Sequence, residues 1–388
     1  MLIPRAFLFV TGAGAAADST GGDLSAGIAG MWFHWDPAHY LRIADVGYRS
    51  SGEDALFIVF FPLFPLLVAA AGFLVRNLVV AALIVTTVSS IASGWLLYRL
   101  ARLDRSEEDS RGAVILLFAF PTAYALFAPF SESVFLMCVL GSIYAARTGR
   151  WWLAGLAGLA ASATRMVGLA LVPALLVEAF VAQRGTTDCL GGTPKSNTTD
   201  RLGGTPKNNT TDRLGGTPRS NGSVTQKLAA ICLVPLGFVA YLGINLAVHG
   251  DAFHFLEVQD EHWFQHAVAP WVPVTDAIEG MKGVEMNVET FLVHPARLVA
   301  IGFALSVIAL GWRSLRWTDR TFSLATMLMV MSASWLISLP RYLLAIYPLF
   351  TTMGRLGRKP WLLWPVALSG LALQLFLFSR FARGMWAF

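Results

Sequence analysis

The chain has 388 residues, 55% of them hydrophobic and only 14% charged, with a mean hydropathy of +0.59. A water-soluble fold of that size cannot hide so much apolar side chain, so a soluble domain is excluded and a helical membrane protein is expected. Three widely separated cysteines, Cys138, Cys189 and Cys232, exclude a disulfide framework or a cysteine metal ladder, and the net charge of +5 matters less than where the charges lie.

In chain order, Leu2–Ala17 is apolar but lacks the basic start of a cleavable signal, and reads as a first span. Further spans are expected at about 78–98, 112–129, 131–147, 151–164, 167–183, 228–248, 296–312, 321–338, 340–354 and 361–379. With 2–18 they make an all-α polytopic bundle of about eleven spans. Segment Leu56–Val75 is apolar enough to cross, but Pro62 and Pro65 in FPLFP interrupt it, and it is expected to lie along the interface. On that reading 20 of the 29 Lys and Arg residues share one side, and all seven histidines fall on the other. The basic side is then cytoplasmic, and Phe33–Tyr48 faces the cell exterior or an organelle lumen. Arg380 and Arg383 alone near the C-terminal end sit against the rule.

Two membrane halves and a linker result: an N-terminal membrane half, 1–183, with a first outward loop at 19–77; a linker, 184–227; and a C-terminal half, 228–388, with an outward loop at 249–295. The linker carries TDCLGGTPKSNT, TDRLGGTPKNNT and TDRLGGTPRSNG in tandem. Such Gly/Pro/Asn/Thr repeats bury almost nothing and are expected to be an inert, disordered cytoplasmic insertion, with the sequons at Asn197 and Asn209 unglycosylated.

Chemistry concentrates in a few short words. FHWDPAHYLRIADVGY (33–48) contains Asp36 as a plausible helix cap, with Pro37 opening the helix. An ionisable group at a membrane boundary is also a functional candidate, and that reading is preferred. FAPFSESV places Glu132 at the mouth of a span, ATRMVG places Arg165 between two short apolar segments resembling a helical hairpin, and SLPRYLLAIYPLF places Arg341 at a span end. Plain capping, ion pairing or snorkelling would account for each singly. Together, carboxylates facing arginines at a lipid boundary suit chemistry on a lipid-linked phosphate. In the loop HGDAFHFLEVQDEHWFQH, His262 and His266 stand four apart beside Asp260 and Glu261, yet no zinc-protease pattern is present and no metal site is expected.

The ordered set HWDPAHYLRIADVGY, FFPLFPLL, FSESVF, GRWWLAGLAGLAASATRMVG and LPRYLLAIYPLF resembles the PIG-V type mannosyltransferases of the GT-C superfamily, from about Trp35 to Phe350 and excluding the repeats. His34 stands where that family usually has arginine, and Phe130 where it often has tyrosine. The resemblance implies a GT-C-like fold with interfacial helices in the first outward loop. It implies transfer of a mannosyl-type sugar from a polyprenyl-phosphate donor to a glycan, lipid or protein hydroxyl on the outer or lumenal face. The membrane would be the cell membrane of a prokaryote or the endoplasmic reticulum of a eukaryote. Asp36 would be the general base, with Glu132 and His39 as helpers, and Arg341 and Arg165 would hold the donor phosphate. Trp35, Tyr40, Arg42, Tyr342 and Gln259 are the expected substrate-binding side chains. Neither cofactor nor nucleic-acid partner is expected. A transporter or flippase for lipid-linked sugars is the competing expectation, since it would share the span count and the outward charges.

Overall fold

The computed structural model describes residues 30–190 and 222–388. The expected span at 2–18, residues 191–221 of the repeats and both sequons lie outside the described residues. Within them the chain is all-helical, and the isolated bridge between Ala267 and Ala333 is the sole extended pairing.

The first outward loop is built from helices. Helix α1 (Asp36–Val46) starts one residue earlier than the capping pattern predicts: Asp36 is its first residue, Pro37 follows, and Trp35 occupies the cap with no side-chain hydrogen bond. The Asp36 carboxylate is therefore not spent on the backbone of its own helix. A 3-10 turn (Glu53–Val59) leads to helix α2 (Leu63–Val75), and the two meet at 118°. Pro62 and Pro65 fall before and within the first turn of α2, where a missing N–H removes no helical bond. The prolines thus open a helix after a sharp corner instead of merely weakening one.

Helix α3 (Leu78–Ala101) is capped by Asn77, whose Oδ1 accepts from Val80 N at 3.0 Å. Helix α4 (Glu107–Phe118) is capped by Ser106, with Glu107, Glu108 and Asp109 in its first turn facing the positive helix end. Then follow α5 (Glu132–Arg147), α6 (Trp151–Thr164) and α7 (Leu171–Leu190), and after the repeats α8 (Val224–Cys232) and α9 (Val234–His249). The helical chain thus enters the expected linker from both sides. The outward loop holds α10 (His254–Trp263), α11 (Val272–Glu279) and α12 (Val288–Val293); α13 (Pro295–Gly311), α14 (Trp317–Met331), α15 (Leu339–Tyr342), α16 (Tyr347–Met353) and α17 (Pro360–Ala382) complete the chain.

Five segments are long and apolar enough to cross a bilayer: Leu78–Ala101, Met166–Gln183, Val224–His249, Val288–Ser314 and Pro360–Ala382, or six if the bent pair Glu53–Val59 and Leu63–Val75 counts as one. The other expected spans are shorter. Helices α4, α5, α6 and α14 have 12, 16, 14 and 15 residues, and 340–354 is divided between α15, a 3-10 turn and α16. At about 1.5 Å per residue, a 16-residue helix reaches roughly 24 Å, short of a hydrocarbon core of roughly 30 Å. Hydropathy averages across the turns at which these helices stop, which is why the ten apolar stretches within the described residues do not yield ten full-length helices.

Small residues bring α6 against α8 and α9. Ser162 Oγ donates to Val234 O, and Gly155, Gly158 and Gly237 lie where a Cβ would run into the facing helix. At Gly237 that Cβ would stand 2.4 Å from Ser162 Oγ and 2.7 Å from Ala163 N, whereas Gly243 on the same helix has open space. Gly237→Ala is expected to cost about 1–3 kcal/mol of stability, read as a lowered thermal midpoint of the purified chain, while Gly243→Ala leaves the midpoint unchanged or raises it.

Helix α5 also separates two polar ends. Glu132 opens it, and Arg147 in its last turn pairs with Asp104 at 2.8 Å. Arg316, Glu178, Asp109 and Arg358 extend the ion pairs at the Arg147 end. Arg380, against the charge rule by sequence, is 9% exposed, and its Nε donates to Trp386 O at 3.0 Å; an arginine held inside the fold carries little weight in setting orientation.

Candidate active site

Four segments far apart in sequence place ionisable groups at the Glu132 end of α5. Helix α1 presents Asp36, His39 and Tyr40, which at i, i+3 and i+4 share one face. The turn before α5 supplies Phe130 and Ser131, and α5 itself begins with Glu132. Arg165 sits at the break after α6 in extended backbone (φ −158, ψ 143), between the two short apolar segments. Gly168 lets the 3-10 turn that follows lie close against the end of α6, since a Cβ on it would collide with the backbone of Ala161 and Ser162. Arg341 comes from the one-turn helix α15, anchored where Thr122 Oγ1 donates to Pro340 O at 3.0 Å.

These groups form one chain of alternating charge. Arg341 Nη2 donates to Asp36 Oδ2 at 2.7 Å, and its Nε lies 3.1 Å from Glu132 Oε1. Arg165 Nη1 donates to the same Glu132 oxygen at 2.6 Å. Ser131 Oγ receives the Tyr40 hydroxyl at 3.0 Å and lies 3.4 Å from Arg165 Nη1. Aromatic faces carry the cations: Arg341 sits 4.7 Å from the Phe130 ring centre, and Arg165 sits 5.0 Å from that of Tyr342. A phenyl ring at 130 therefore supports the guanidinium by its face, with no hydroxyl required.

Exposure differs along the chain of charges. Glu132 and Arg341 are each 6% exposed, while Asp36 is 31% exposed and reachable. Glu132 Oε2 and Arg341 Nε are buried without a well-aligned hydrogen-bond partner, an unusual condition for charged groups and one that a polar ligand would relieve. Burial pushes the Asp36 carboxyl up, but the charge and hydrogen bond of Arg341, with His39 and Arg165, outweigh it and hold it below the ordinary carboxylate range. Burial lowers the His39 imidazole against the pull of Asp36, so it is neutral at neutral pH.

The remaining expected residues lie around this core. His39 stacks among Phe57, Phe60 and Trp263, at 4.5, 5.1 and 6.4 Å between ring centres. Trp35 turns away, edge-on to Trp386 at 5.2 Å, and His34 lies over Gly384. Arg42, about a third of a turn round α1 from Asp36, forks onto Asp54, at 3.1 and 2.8 Å. Gln259 donates to Gln265 Oε1 at 3.2 Å. Neither Arg42 nor Gln259 joins the charge chain. His262 and His266 do not share a helical face, because α10 ends at Trp263 and Phe264 takes φ 53; His266 instead meets Asp260 at 3.0 Å. Among the described residues no three His, Cys, Asp or Glu side chains are grouped to hold a metal.

Sequence reasoning missed Ser131, Trp263 and Trp386 here, and read Phe130 only as a departure from a family pattern. Ser131 and Phe130 lie inside the quoted FSES word and could have been read as its working parts. Trp263 and Trp386 carry no local signal, since each meets α1 from a distant segment.

No family model matches the chain, and no curated protein matches it. Among solved structures, the Archaeoglobus fulgidus oligosaccharyltransferase, tethered with an acceptor peptide containing the NVT sequon via a disulfide bond, aligns at a TM-score of 0.43 and 11% identity. The alignment covers 98% of this chain and 55% of that one, so this chain spans about half the length of the oligosaccharyltransferase. What the described residues establish is an all-helical membrane protein with a buried carboxylate–arginine site at one end of its bundle.

Proposed function

We propose that the protein is an integral-membrane glycosyltransferase that moves a mannosyl-type sugar from a polyprenyl-phosphate donor to an acceptor hydroxyl on the outer or lumenal face. The observation that carries this reading is the linked set Asp36–Arg341–Glu132–Arg165, gathered from four segments of an apolar bundle. Two guanidiniums side by side suit a phosphate, and a partly exposed carboxylate beside them suits a hydroxyl that must lose its proton. The orientation, and the crossing of the shorter helices, belong to the same reading and rest on the distribution of charge.

The reaction is a single displacement with inversion. The acceptor oxygen bonds to the sugar C1 and passes its proton to Asp36. The bond from C1 to the phosphate oxygen breaks, and polyprenyl phosphate departs with the electron pair, held by Arg341 and Arg165. Arg341 can serve the phosphate only by loosening its bond to Asp36, so donor arrival also frees the base. Glu132, bonded to Arg165 and beside Arg341, keeps both guanidiniums in place.

The full chain, reconstituted and given polyprenyl-phosphate-mannose with a panel of glycan, lipid and peptide acceptors, is expected to transfer or release the sugar. Binding of the donor without turnover would overturn the enzyme reading in favour of a carrier. The acid side of the pH profile follows from Asp36. A base works when deprotonated, and its carboxyl is held low in the free protein, so kcat/KM stays flat as pH falls to about 5. In the donor complex, with Arg341 drawn to phosphate, the carboxyl rises and the acid limb of kcat moves to higher pH. A limb between about pH 6 and 7 in kcat/KM would assign the base to an ordinary imidazole instead.

A further inference from the structure

We propose that the end of the protein opposite Asp36 holds a second anion site, which takes the phosphate of an anionic membrane lipid headgroup. A cavity of about 490 Å³ lies there between the start of α4 and the start of α17. Arg105, Arg355, Arg358 and Lys359 line it, with Asp104 and Asp109 as its carboxylates. Both carboxylates are already committed. Asp109 receives Arg358 through two bonds, at 2.6 and 2.5 Å, and Asp104 pairs with Arg147 at 2.8 Å and lies 3.7 Å from Arg316. Arg105, Arg355 and Lys359 face the cavity with no carboxylate of their own.

That surplus is costly as it stands. Burial, and then the like charge of Arg355, hold the Arg105 guanidinium below its ordinary value. Arg105 and Arg355 face one space and repel, the nearby carboxylates Asp104, Asp109 and Asp319 offset part of that repulsion, and an anion placed between the two cations would reverse the sign of their interaction. The wall that carries Arg355 and Arg358 is fixed in advance. Gly112 of α4 and Gly354 and Gly357 of the facing 3-10 turn pack backbone to backbone, where any Cβ would collide. Close packing thus fixes the backbone from which Arg355 and Arg358 reach the cavity.

Placement selects the lipid over a solute. Lys359 immediately precedes α17, one of the segments able to cross a bilayer. Trp361 and Trp364 in its first turns are 73% and 54% exposed, the arrangement of aromatic anchors at headgroup depth. Leu356 and Leu362 give the cavity an apolar side toward the chains of a lipid. Basic pockets at the end of membrane helices on the positively charged side suit anionic headgroups. The site is separated from the Asp36 cluster by the length of α5, and it stands whether or not the transfer reaction does.

The test uses the full chain in nanodiscs of phosphatidylcholine doped with phosphatidylglycerol. Native mass spectrometry is expected to show phosphatidylglycerol retained in preference to phosphatidylcholine. Arg105→Gln with Arg355→Gln should weaken that preference by about tenfold or more, and Lys359→Gln alone by less. These positions are partly or fully solvent-facing, and an unchanged thermal midpoint checks that the variants fold. Retention unaffected by the double variant overturns the site. Inorganic phosphate competing as well as the lipid overturns the assignment to a headgroup, whereas competition that fails in the millimolar range supports it.

Discussion

Asp36→Asn is expected to leave the protein folded and to lower sugar transfer by about 10²- to 10⁴-fold, the range that loss of a positioned general base produces. Asparagine keeps an oxygen that can accept from Arg341, so the 2.7 Å bond has a neutral substitute and the bundle has no reason to open. The substitution removes only the capacity to take a proton. Turnover of polyprenyl-phosphate-mannose, measured beside the size-exclusion profile of the same preparation, separates these effects. Near-normal turnover in a monodisperse variant would remove Asp36 from the chemistry.

Arg341→Ala is the most damaging single change expected. Arg341 bridges Asp36 and Glu132, and deleting it strips Asp36 of its bonded partner and leaves the 6% exposed Glu132 with Arg165 as its remaining counter-charge. Breaking a buried pair from one side costs about 3–5 kcal/mol, so both the thermal midpoint and the activity should fall. A second variant distinguishes the two causes. Arg341→Met combined with Glu132→Gln removes charge from both sides, and is expected to recover most of the lost midpoint while remaining inactive. If the double variant transfers sugar, Arg341 does not hold the donor phosphate. If Arg341→Ala melts like the parent chain, Glu132 does not depend on it.

The candidate site was legible as words and illegible as a place. Asp36, Glu132, Arg165 and Arg341 each interrupt an apolar stretch, and charge is conspicuous against such a background. Their pairing was not visible, because 305 residues separate Asp36 from Arg341 and no local pattern encodes contact over that distance. Charge distribution could put them on one side of a membrane but could not bring them within hydrogen-bond reach. The capping pattern misplaced Asp36 by one residue, since Asp-Pro fits both the cap and the first turn. Arg42 drew attention as an arginine near an aspartate, yet at six residues from Asp36 it belongs to another face of α1.

The fold shows the same division. Helical class and membrane character follow from composition, whereas helix length does not. Where α5 and α6 stop is decided by Glu132, Arg147 and Arg165, residues whose side chains find partners in other segments. Positive φ at Trp35 is another feature that composition cannot announce; φ 55 with ψ −144 suits glycine far better than tryptophan, and the Trp386 ring packs on the side chain that adopts it.

The alternating charge chain also bears on what the empty protein ignores. Because Asp36 and Glu132 already occupy the arginine forks, free phosphate or sulfate from solution must evict an internal rival held at 2.7 Å or less before it gains anything. Such small ions bring no other source of binding energy. A polyprenyl phosphate also buries a long hydrocarbon tail, and that burial can offset the cost of parting the internal pairs. On the proposed reading the carboxylates would act as a threshold, admitting an anion only when grease arrives with it.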